Sequence, residues 1–121
     1  MPIAAITYDI KAGCEDEIAK IFTGFRRVGN PAVTDAAGRE VGKILSTALF
    51  IRDATMVRFI EYEGSLADVA RFMAGQPGVQ EVERKLKPFL ASPRHTDTVD
   101  GFVATLTGSE MRCLSALSVR D

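Results

Sequence analysis

The alternation of apolar and polar residues changes its period along this chain, and each change predicts a different element. Residues 3–10 alternate at a period of two, which predicts a first strand with two unequal faces. Its more apolar side comprises Ala4, Ile6, Tyr8 and Ile10. Residues 14–27 then switch to helical spacing, with acidic residues near the start and arginines near the end, as the helix dipole favours. The apolar stripe of this first helix comprises Ile18, Ile21, Phe22 and Phe25.

Residues 28–42 show neither period, and their glycines, proline and asparagine predict a long connection. A connection of this length in a compact domain is often functional or mobile, and the pattern leaves open whether this one is a lid or a dimer contact. Two runs of strand-like composition follow at 43–52 and 55–64. Because only Asp53 and Ala54 separate them, we expect an antiparallel hairpin.

The second strand of this hairpin has apolar side chains on both faces. One face comprises Met56, Arg58, Ile60 and Tyr62, and the other comprises Val57, Phe59, Glu61 and Glu63. A strand of this kind needs cover on both sides, and one layer of helices covers only one side.

Two further helices follow the hairpin. Ser65 is a candidate N-cap for a helix whose buried stripe comprises Leu66, Val69, Phe72 and Met73. The next helix has the stripe Val79, Val82, Leu86 and Phe89, and we expect it to end around Pro88. On this helix Glu83 and Lys87 have the spacing of a solvated ion pair.

The last stretch, residues 101–121, fits two periods. Met111, Leu114 and Leu117 suit a helix, whereas every second residue from Met111 to Val119 suits a strand. We predict a strand over 111–119, because the plan β-α-β-β-α-(α)-β lacks its closing strand without one.

This plan is that of an α+β, ferredoxin-like antiparallel sheet with helices on one face, formed by residues 1–121 as a single domain. The other face is then bare. We expect it to include the apolar residues Ile44, Ala48, Phe50 and Ile60. Packing two such faces across a two-fold axis would produce a homodimer, a dimeric α/β barrel, with a small-ligand site between each sheet and its covering elements.

Composition and charge narrow the class of protein. The chain has 121 residues, 46% of them hydrophobic and 26% charged, which is typical of a soluble globular domain. The formal net charge of −1 disfavours nucleic acid and anionic membrane as partners. The first ten residues resemble neither a signal peptide nor a membrane span, so we expect a cytoplasmic protein.

Metal and cofactor motifs are absent from the sequence. Cys14 and Cys113 lie far apart and only one histidine is present, which leaves no ligand set for zinc and favours reduced, structural thiols. The chain also lacks a phosphate loop, a dinucleotide fingerprint and a nucleophile elbow. We therefore expect no bound cofactor and no metal.

The polar segment SPRHTDTVDGF, residues 92–102, concentrates the candidate chemistry. His95 is a candidate acid–base group that Asp97 might orient, because imidazole titrates near neutral pH; the alternative is an exposed loop histidine. Arg94 is suited either to holding a carboxylate or phenolate of a substrate or to solvating the loop. Thr96 and Thr98 are candidate substrate contacts, with turn and capping roles as the alternative.

The second strand of the hairpin offers two more candidates. Arg58 and Tyr62 share one face, separated by about 13 Å at the usual strand rise, so both can line one cavity without forming a dyad. The Tyr62 phenol is suited to hydrogen bonding a substrate ketone or enol, or it is an amphipathic residue at the sheet edge.

Three parts of the chain together resemble the SchA/CurD-like proteins of aromatic polyketide and spore-pigment gene clusters. These parts are FRRVGNPAVTDAAGREVGKILSTALFI, TMVRFIEYEG with MAGQPGVQEVERKLKPFL, and PRHTDTVDGF with the closing MRCLSALSVRD. The likeness extends from about Ile6 to Asp121. Where the family has PRDTDT this chain has PRHTDT, so His95 departs from the family pattern.

The resemblance implies an accessory protein of type II polyketide synthesis with a fold similar to dimeric α/β barrels, a group that includes cofactor-free monooxygenases and polyketide cyclases. It supplies no catalytic residue set. We therefore expect either a cofactor-independent oxygenase or a cyclase/aromatase that binds an aromatic polyketide through Arg94 and Asp97. The alternative is a non-catalytic protein that binds a polyketide or docks on other pathway enzymes.

Overall fold

Residues 2–23 and 32–117 are described in the computed structural model of the chain, and they form an α+β structure with a four-stranded antiparallel sheet and four α-helices. The strands are β1 (Ile3–Asp9), β2 (Ala32–Thr34), β3 (Glu40–Arg52) and β4 (Thr55–Glu63). The helices are α1 (Glu15–Thr23), α2 (Leu66–Ala74), α3 (Pro77–Leu86) and α4 (Val99–Gly108). The strand order in the sheet is β1-β4-β3-β2.

The predicted hairpin is confirmed as β3 and β4, joined by Asp53 and Ala54. Asp53 has a φ of 53°, a left-handed conformation that aspartate tolerates better than most residues. Its backbone N–H donates to the Glu15 carboxylate at 2.9 Å, which connects the turn to the start of α1. The pairing of β3 with β4 fixes the register of the hairpin, and this hydrogen bond fixes the position of its turn.

The long connection predicted over 28–42 is wrong in its described part, because residues 32–34 form β2 and β3 already begins at Glu40. Asp35 organises the tight loop between them: its Oδ1 accepts the backbone N–H groups of Ala37 and Arg39. Aspartate side chains often accept backbone hydrogen bonds in this way and so stabilise a turn. The strand β2 was not predicted because an alternation of only three residues is too short to indicate a strand.

The helix predictions are confirmed where they fall on described residues. α2 begins after Ser65, whose side chain accepts the backbone N–H of Asp68 at 3.1 Å. α3 begins with Pro77 and is followed by a 3₁₀ turn at Lys87–Phe89 around Pro88, as expected for proline. Ile18 of α1 is buried, whereas the predicted stripe residue Phe25 lies outside the described residues.

One face of the sheet, which we call the covered face, packs against all four helices in a single core. From the sheet, the buried side chains include Ala4, Ile6, Tyr8, Met56, Ile60 and Tyr62. From the helices they include Ile18, Val69, Leu86, Phe102 and Leu106. Burial of this apolar area is the main stabilising contribution to the fold.

The opposite face, which we call the open face, has no helix upon it among the described elements. It comprises Ala5, Ala48, Phe50, Val57 and Phe59, with Ser46 and Glu61 at one end. Phe50 is 61% exposed. An apolar open face was predicted correctly, and Ala48 and Phe50 belong to it.

Ile44 and Ile60 do not belong to the open face as predicted. Ile60 is completely buried on the covered face, and Ile44 pairs with Tyr62 on that same face. For Ile44 the cause is a bulge between Ile44 and Ser46, which adds one residue to β3 and reverses its alternation from there on. Ile60 lies on the covered face because it shares one side of β4 with Met56 and Tyr62, which are in the core.

The closing strand predicted over 111–119 is not formed in its described part, residues 111–117. The free edge of β1 instead has isolated pairings: Met111 N–H donates to the Ala5 carbonyl at 2.7 Å, and Thr7 N–H donates to the Ser109 carbonyl at 3.0 Å. Beyond these bonds Leu114 and Leu117 are 82% and 92% exposed. Residues 118–119 lie outside the described part of the chain.

Candidate functional site

Tyr8 of β1 is the centre of a buried polar group on the covered face. Its hydroxyl oxygen accepts a hydrogen bond from Arg58 Nε at 3.2 Å. The guanidinium carbon of Arg94 lies 4.1 Å from the centroid of its ring, within the range of a cation–π interaction. Arg94 in turn pairs with Glu83 of α3. We call these four residues, Tyr8, Arg58, Glu83 and Arg94, the Tyr8 cluster.

Strand register places the first two members side by side. β1 and β4 pair with Ile6 opposite Arg58 and Tyr8 opposite Met56, so Tyr8 and Arg58 are diagonal neighbours on one face. Diagonal pairs are within reach for long and aromatic side chains. Arg58 also lies 5.9 Å from the ring of Phe22, which brings α1 against the cluster.

The ion pair between Arg94 and Glu83 is almost fully buried. Arg94 Nε lies 3.3 Å from Glu83 Oε1, and the two side chains are only 6% and 7% exposed. Each charge would be costly to desolvate alone, so each depends on the other for stability. The pair connects α3 to the segment that precedes α4.

Arg94 is incompletely satisfied by the described protein atoms. Its Nη2 is buried and has no hydrogen-bond partner. Buried polar atoms in native proteins are nearly always paired, so a charged nitrogen without a partner calls for a further acceptor, either a water molecule or a bound group. The orphan nitrogen belongs to the same guanidinium that covers Tyr8.

The surroundings of Arg58 keep its guanidinium positively charged. Burial alone lowers the pKa of Arg58, but the interaction with the Tyr8 oxygen, the hydrogen bond to it and the carboxylate of Glu83 outweigh burial and hold that pKa above its ordinary value. Arg58 and Arg94 therefore supply two positive charges against the one negative charge of Glu83.

The structure brings together two of the predicted substrate-binding residues, Arg58 and Arg94, since both contact Tyr8. It does not pair His95 with Asp97. Asp97 accepts a 2.6 Å bond from Lys87, and His95 is exposed with no side-chain hydrogen bond to a described residue. The prediction that Asp97 orients the imidazole is therefore wrong in this structure.

The two threonines of the polar segment differ in their positions. Thr98 is the N-cap of α4 and accepts the Gly101 N–H at 3.0 Å, which is the capping alternative for this residue. Thr96 is half-buried. Thr98 thus serves the start of a helix that the sequence pattern did not predict.

Tyr62 lies four residues further along β4 than Arg58, and its backbone N–H donates to the Pro2 carbonyl. Its ring belongs to the core. Burial and, second, the charge of Glu110 raise the pKa of Tyr62 above its ordinary range. Tyr62 is therefore a neutral phenol in the folded protein at neutral pH.

Sequence reasoning missed Tyr8 and Glu83 as members of the site. Tyr8 was interpreted only as an apolar strand residue. Glu83 was predicted to pair with Lys87 on a solvated face, which is wrong, because Glu83 pairs with Arg94 and Lys87 with Asp97. The signal that could have found Glu83 is its spacing, because Val79, Glu83 and Leu86 lie at positions i, i+4 and i+7 on one helix face.

The described residues also form a hollow that no member of the Tyr8 cluster lines. An open hollow of about 480 Å³ lies at the tip of the hairpin, lined by Phe50, Ile51, Arg52, Asp53, Ala54, Thr55 and Val57. No group of three or more histidine, cysteine or acidic side chains in residues 2–23 and 32–117 is placed to hold a metal ion. Within the same residues, no helix has the length and apolarity to cross a membrane.

Comparison with known proteins gives one family and several relatives. The SchA/CurD like domain matches residues 1–119. A 42.8 kDa protein in the whiE locus of Streptomyces coelicolor is 34% identical over 90 residues, 74% of this chain. Polyketide synthase CurD of Streptomyces cyaneus is 31% identical over 96 residues, and protein SchA of Streptomyces halstedii is 31% identical over 90 residues, 79% and 74% of this chain.

The chain spans only 21% to 24% of the length of these three relatives. No solved structure shows significant similarity to it. The comparisons therefore establish a sequence family, whereas the arrangement of the Tyr8 cluster comes from the structure alone.

Proposed function

The chain belongs to the SchA/CurD-like family, and from this membership we propose that it is an accessory tailoring protein of aromatic polyketide or spore-pigment biosynthesis. One of its relatives is a polyketide synthase by name, and another is a protein of the whiE locus. Because the chain matches only part of each relative, the role proposed here is that of this domain.

The proposed activity is that of a cofactor-independent monooxygenase or a cyclase/aromatase acting on a polyphenolic or poly-β-ketone intermediate. Both reactions begin with the removal of a proton from an acidic C–H or a phenol, and both need donors for the oxygen that becomes negative. The observation that supports this proposal is the meeting of Arg58 and Arg94 at Tyr8, with Arg94 Nη2 unpaired.

The proposed residue roles follow the chemistry of each group. Arg58 and Arg94 bind the substrate oxygen, with Thr96 and Thr98 as further polar contacts. His95, Asp97 and Tyr62 are the proposed acid–base groups. Of these three, Tyr62 shares the covered face with Arg58, whereas His95 and Asp97 are exposed.

The proposed quaternary structure is a homodimer in which two open faces pack together as an α/β barrel. Its support is the apolar open face with Phe50 61% exposed. Sedimentation of the wild type should show a dimer, and Phe50→Glu should shift it toward the monomer while the circular dichroism stays unchanged. A wild type that sediments as a monomer at all concentrations would contradict the barrel.

The activity is tested with purified protein and two substrates, an anthrone and a linear poly-β-ketone. We expect oxidation or cyclisation above the spontaneous rate, reduced in Arg58→Gln and Tyr62→Phe. Arg71→Gln is the matched control, since Arg71 pairs with Asp68 on the exposed side of α2. A rate equal to the spontaneous one with both substrates would eliminate the enzymatic proposal.

The second candidate is a non-catalytic protein that binds a polyketide or docks on other proteins of the pathway. The observation that favours it is the exposure of His95 and the engagement of Asp97 by Lys87, which leave no oriented imidazole base. Binding of a polyphenol without turnover would support this candidate, and turnover that Tyr62→Phe abolishes would exclude it.

A further inference from the structure

The Tyr8 cluster contains more hydrogen-bond donors than acceptors. Arg94 Nη2 has no acceptor among residues 2–23 and 32–117. The Tyr8 oxygen already accepts from Arg58, and no described residue accepts the hydrogen of the Tyr8 hydroxyl. Two donors of different elements, one from the segment before α4 and one from β1, therefore lack an acceptor at the same aromatic ring.

The charge balance of the cluster also indicates that an acceptor is missing. Arg58 and Arg94 face a single carboxylate, Glu83, so the cluster has one uncompensated positive charge among the described residues. An additional acceptor that is also a monoanion would satisfy both the donors and the charge. Charge-assisted hydrogen bonds of this kind are stronger than neutral ones.

We propose that the Tyr8 cluster binds the ionised oxygen of a phenol or an enol, held by Arg94 Nη2 and the Tyr8 hydroxyl. This inference rests on the proposed function and specifies the protonation state in which the polyketide is bound. Arg58 holds the Tyr8 hydroxyl in place, and Glu83 is a positioning residue that holds Arg94 over the ring.

The geometry disfavours other anions at this position. Arg94 Nε is engaged by Glu83, so that edge of the guanidinium is not free for the two-point contact that carboxylates prefer. A phosphate would bring a second negative charge close to the buried Glu83 carboxylate. A single anionic oxygen matches both the donors and the charge.

The test uses 2-hydroxyanthraquinone, a probe whose phenolate absorbs at longer wavelength than its phenol. It is mixed with the full chain at a pH below that at which the free probe ionises. We expect the bound probe to show the phenolate spectrum, because the cluster supplies the positive charge that stabilises that form. Absorbance reports the ionisation directly and needs no turnover.

Three variants assign the effect to the cluster. Tyr8→Phe removes one donor and should weaken binding about tenfold while partly restoring the phenol spectrum. The double variant Glu83→Gln/Arg94→Gln keeps two polar side chains of similar size, avoids an unpaired buried charge, and should abolish the phenolate spectrum. Arg71→Gln is the surface control and should behave as the wild type.

The outcomes separate this inference from the proposed function. Binding of the probe as the neutral phenol, or a phenolate spectrum that survives in the double variant, would overturn the oxyanion site and leave polyketide binding intact. Absence of any binding by a folded wild type would overturn both. A phenolate spectrum in the wild type that is lost in the double variant supports both.

Discussion

A buried carboxylate lies on each side of the sheet, Glu83 of α3 on the covered side and Glu61 of β4 on the open side, and the two have different partners. On the covered face Glu83 pairs with the guanidinium of Arg94 beneath the helices. On the open face Glu61, which is 7% exposed, accepts a hydrogen bond from Ser46 at 3.0 Å. The covered face thus combines opposite charges, an aromatic ring and an unpaired donor, whereas the open face presents mainly apolar side chains.

The proposals above assign different roles to the two faces on the basis of this difference. A small molecule is recognised by a few polar groups held rigidly in apolar surroundings, and the covered face has them. Large exposed apolar patches are typical of protein interaction sites, and the open face has exposed apolar side chains such as Phe50. Four comparisons test these proposed roles, from the largest expected effect to the smallest.

The largest effect is expected from Arg94→Ala on the covered face. This change leaves the Glu83 carboxylate buried without its partner, which should reduce the free energy of unfolding by about 3–5 kcal/mol. Urea denaturation followed by circular dichroism measures it. His95→Ala, one residue along the chain and exposed, should change the free energy by no more than about 0.5 kcal/mol. Equal effects of the two changes would contradict the burial of Arg94.

Next, truncating one apolar residue on each face compares their packing. Ile60→Ala on the covered face removes a completely buried side chain and should cost about 3 kcal/mol. Phe50→Ala on the open face should cost less than about 1 kcal/mol in the isolated subunit, since Phe50 is 61% exposed. Thermal unfolding at low protein concentration compares them. A large cost at Phe50 that increases with protein concentration would show that the open face is covered by association.

A smaller effect is expected from Ser46→Ala on the open face. The change removes one hydrogen bond to the Glu61 carboxylate, which should cost about 1 kcal/mol. Thr47→Ala, at the neighbouring exposed position of β3, is the control for the loss of strand propensity. Chemical denaturation measures both variants. If Ser46→Ala costs as much as Arg94→Ala, the two carboxylates do not differ as described.

The smallest effect is the pH dependence due to Tyr62 on the covered face. Burial and Glu110 raise its pKa from 10.0, so the folded state retains the phenol proton to a higher pH than the unfolded chain does. The contribution of Tyr62 to stability is therefore complete below about pH 10 and is lost as the pH rises through the folded pKa. Tyr62→Phe should lessen the alkaline loss of stability, measured by urea denaturation from pH 9 upward. An unchanged alkaline profile would show that Tyr62 is not the group responsible.

Local sequence patterns were sufficient for the elements whose own residues determine them. The alternation in residues 3–10, the two-residue turn at Asp53 and Ala54, the Ser65 cap and the stop at Pro88 all appear in the structure. Each depends on residues within one turn or one strand. The same patterns correctly indicated that the sheet has apolar side chains on both faces.

Helix α4 shows why other elements were missed. It is rich in glycine and β-branched residues, such as Gly101, Val103 and Thr105, which are weak helix formers. It is helical because Phe102 and Leu106 are buried in the core, where α4 packs against α2. Tertiary packing overrides local propensity here, and no local pattern reports that packing.

The sequence predicted some of the residues of the candidate site, but it did not predict which residues pair with one another. The sequence identified Arg58 on a strand and Arg94 in the polar segment as candidate substrate-binding groups, yet it assigned Asp97 to His95 and Glu83 to Lys87. The observed pairs, Glu83 with Arg94 and Lys87 with Asp97, exchange these partners. Both exchanges depend on how the segment before α4 crosses α3.

The sequence by itself determined the family, the α+β composition and the presence of arginines on a mostly apolar sheet. Only the tertiary structure decided that Tyr8 joins Arg58 to Arg94, that a bulge after Ile44 reverses one strand, and that residues 111–117 do not close the sheet. The physical reason is the distance along the chain over which each effect acts. Periodicity and capping depend on a few neighbouring residues, whereas the partner of a buried charge depends on how segments that are distant in the chain pack together.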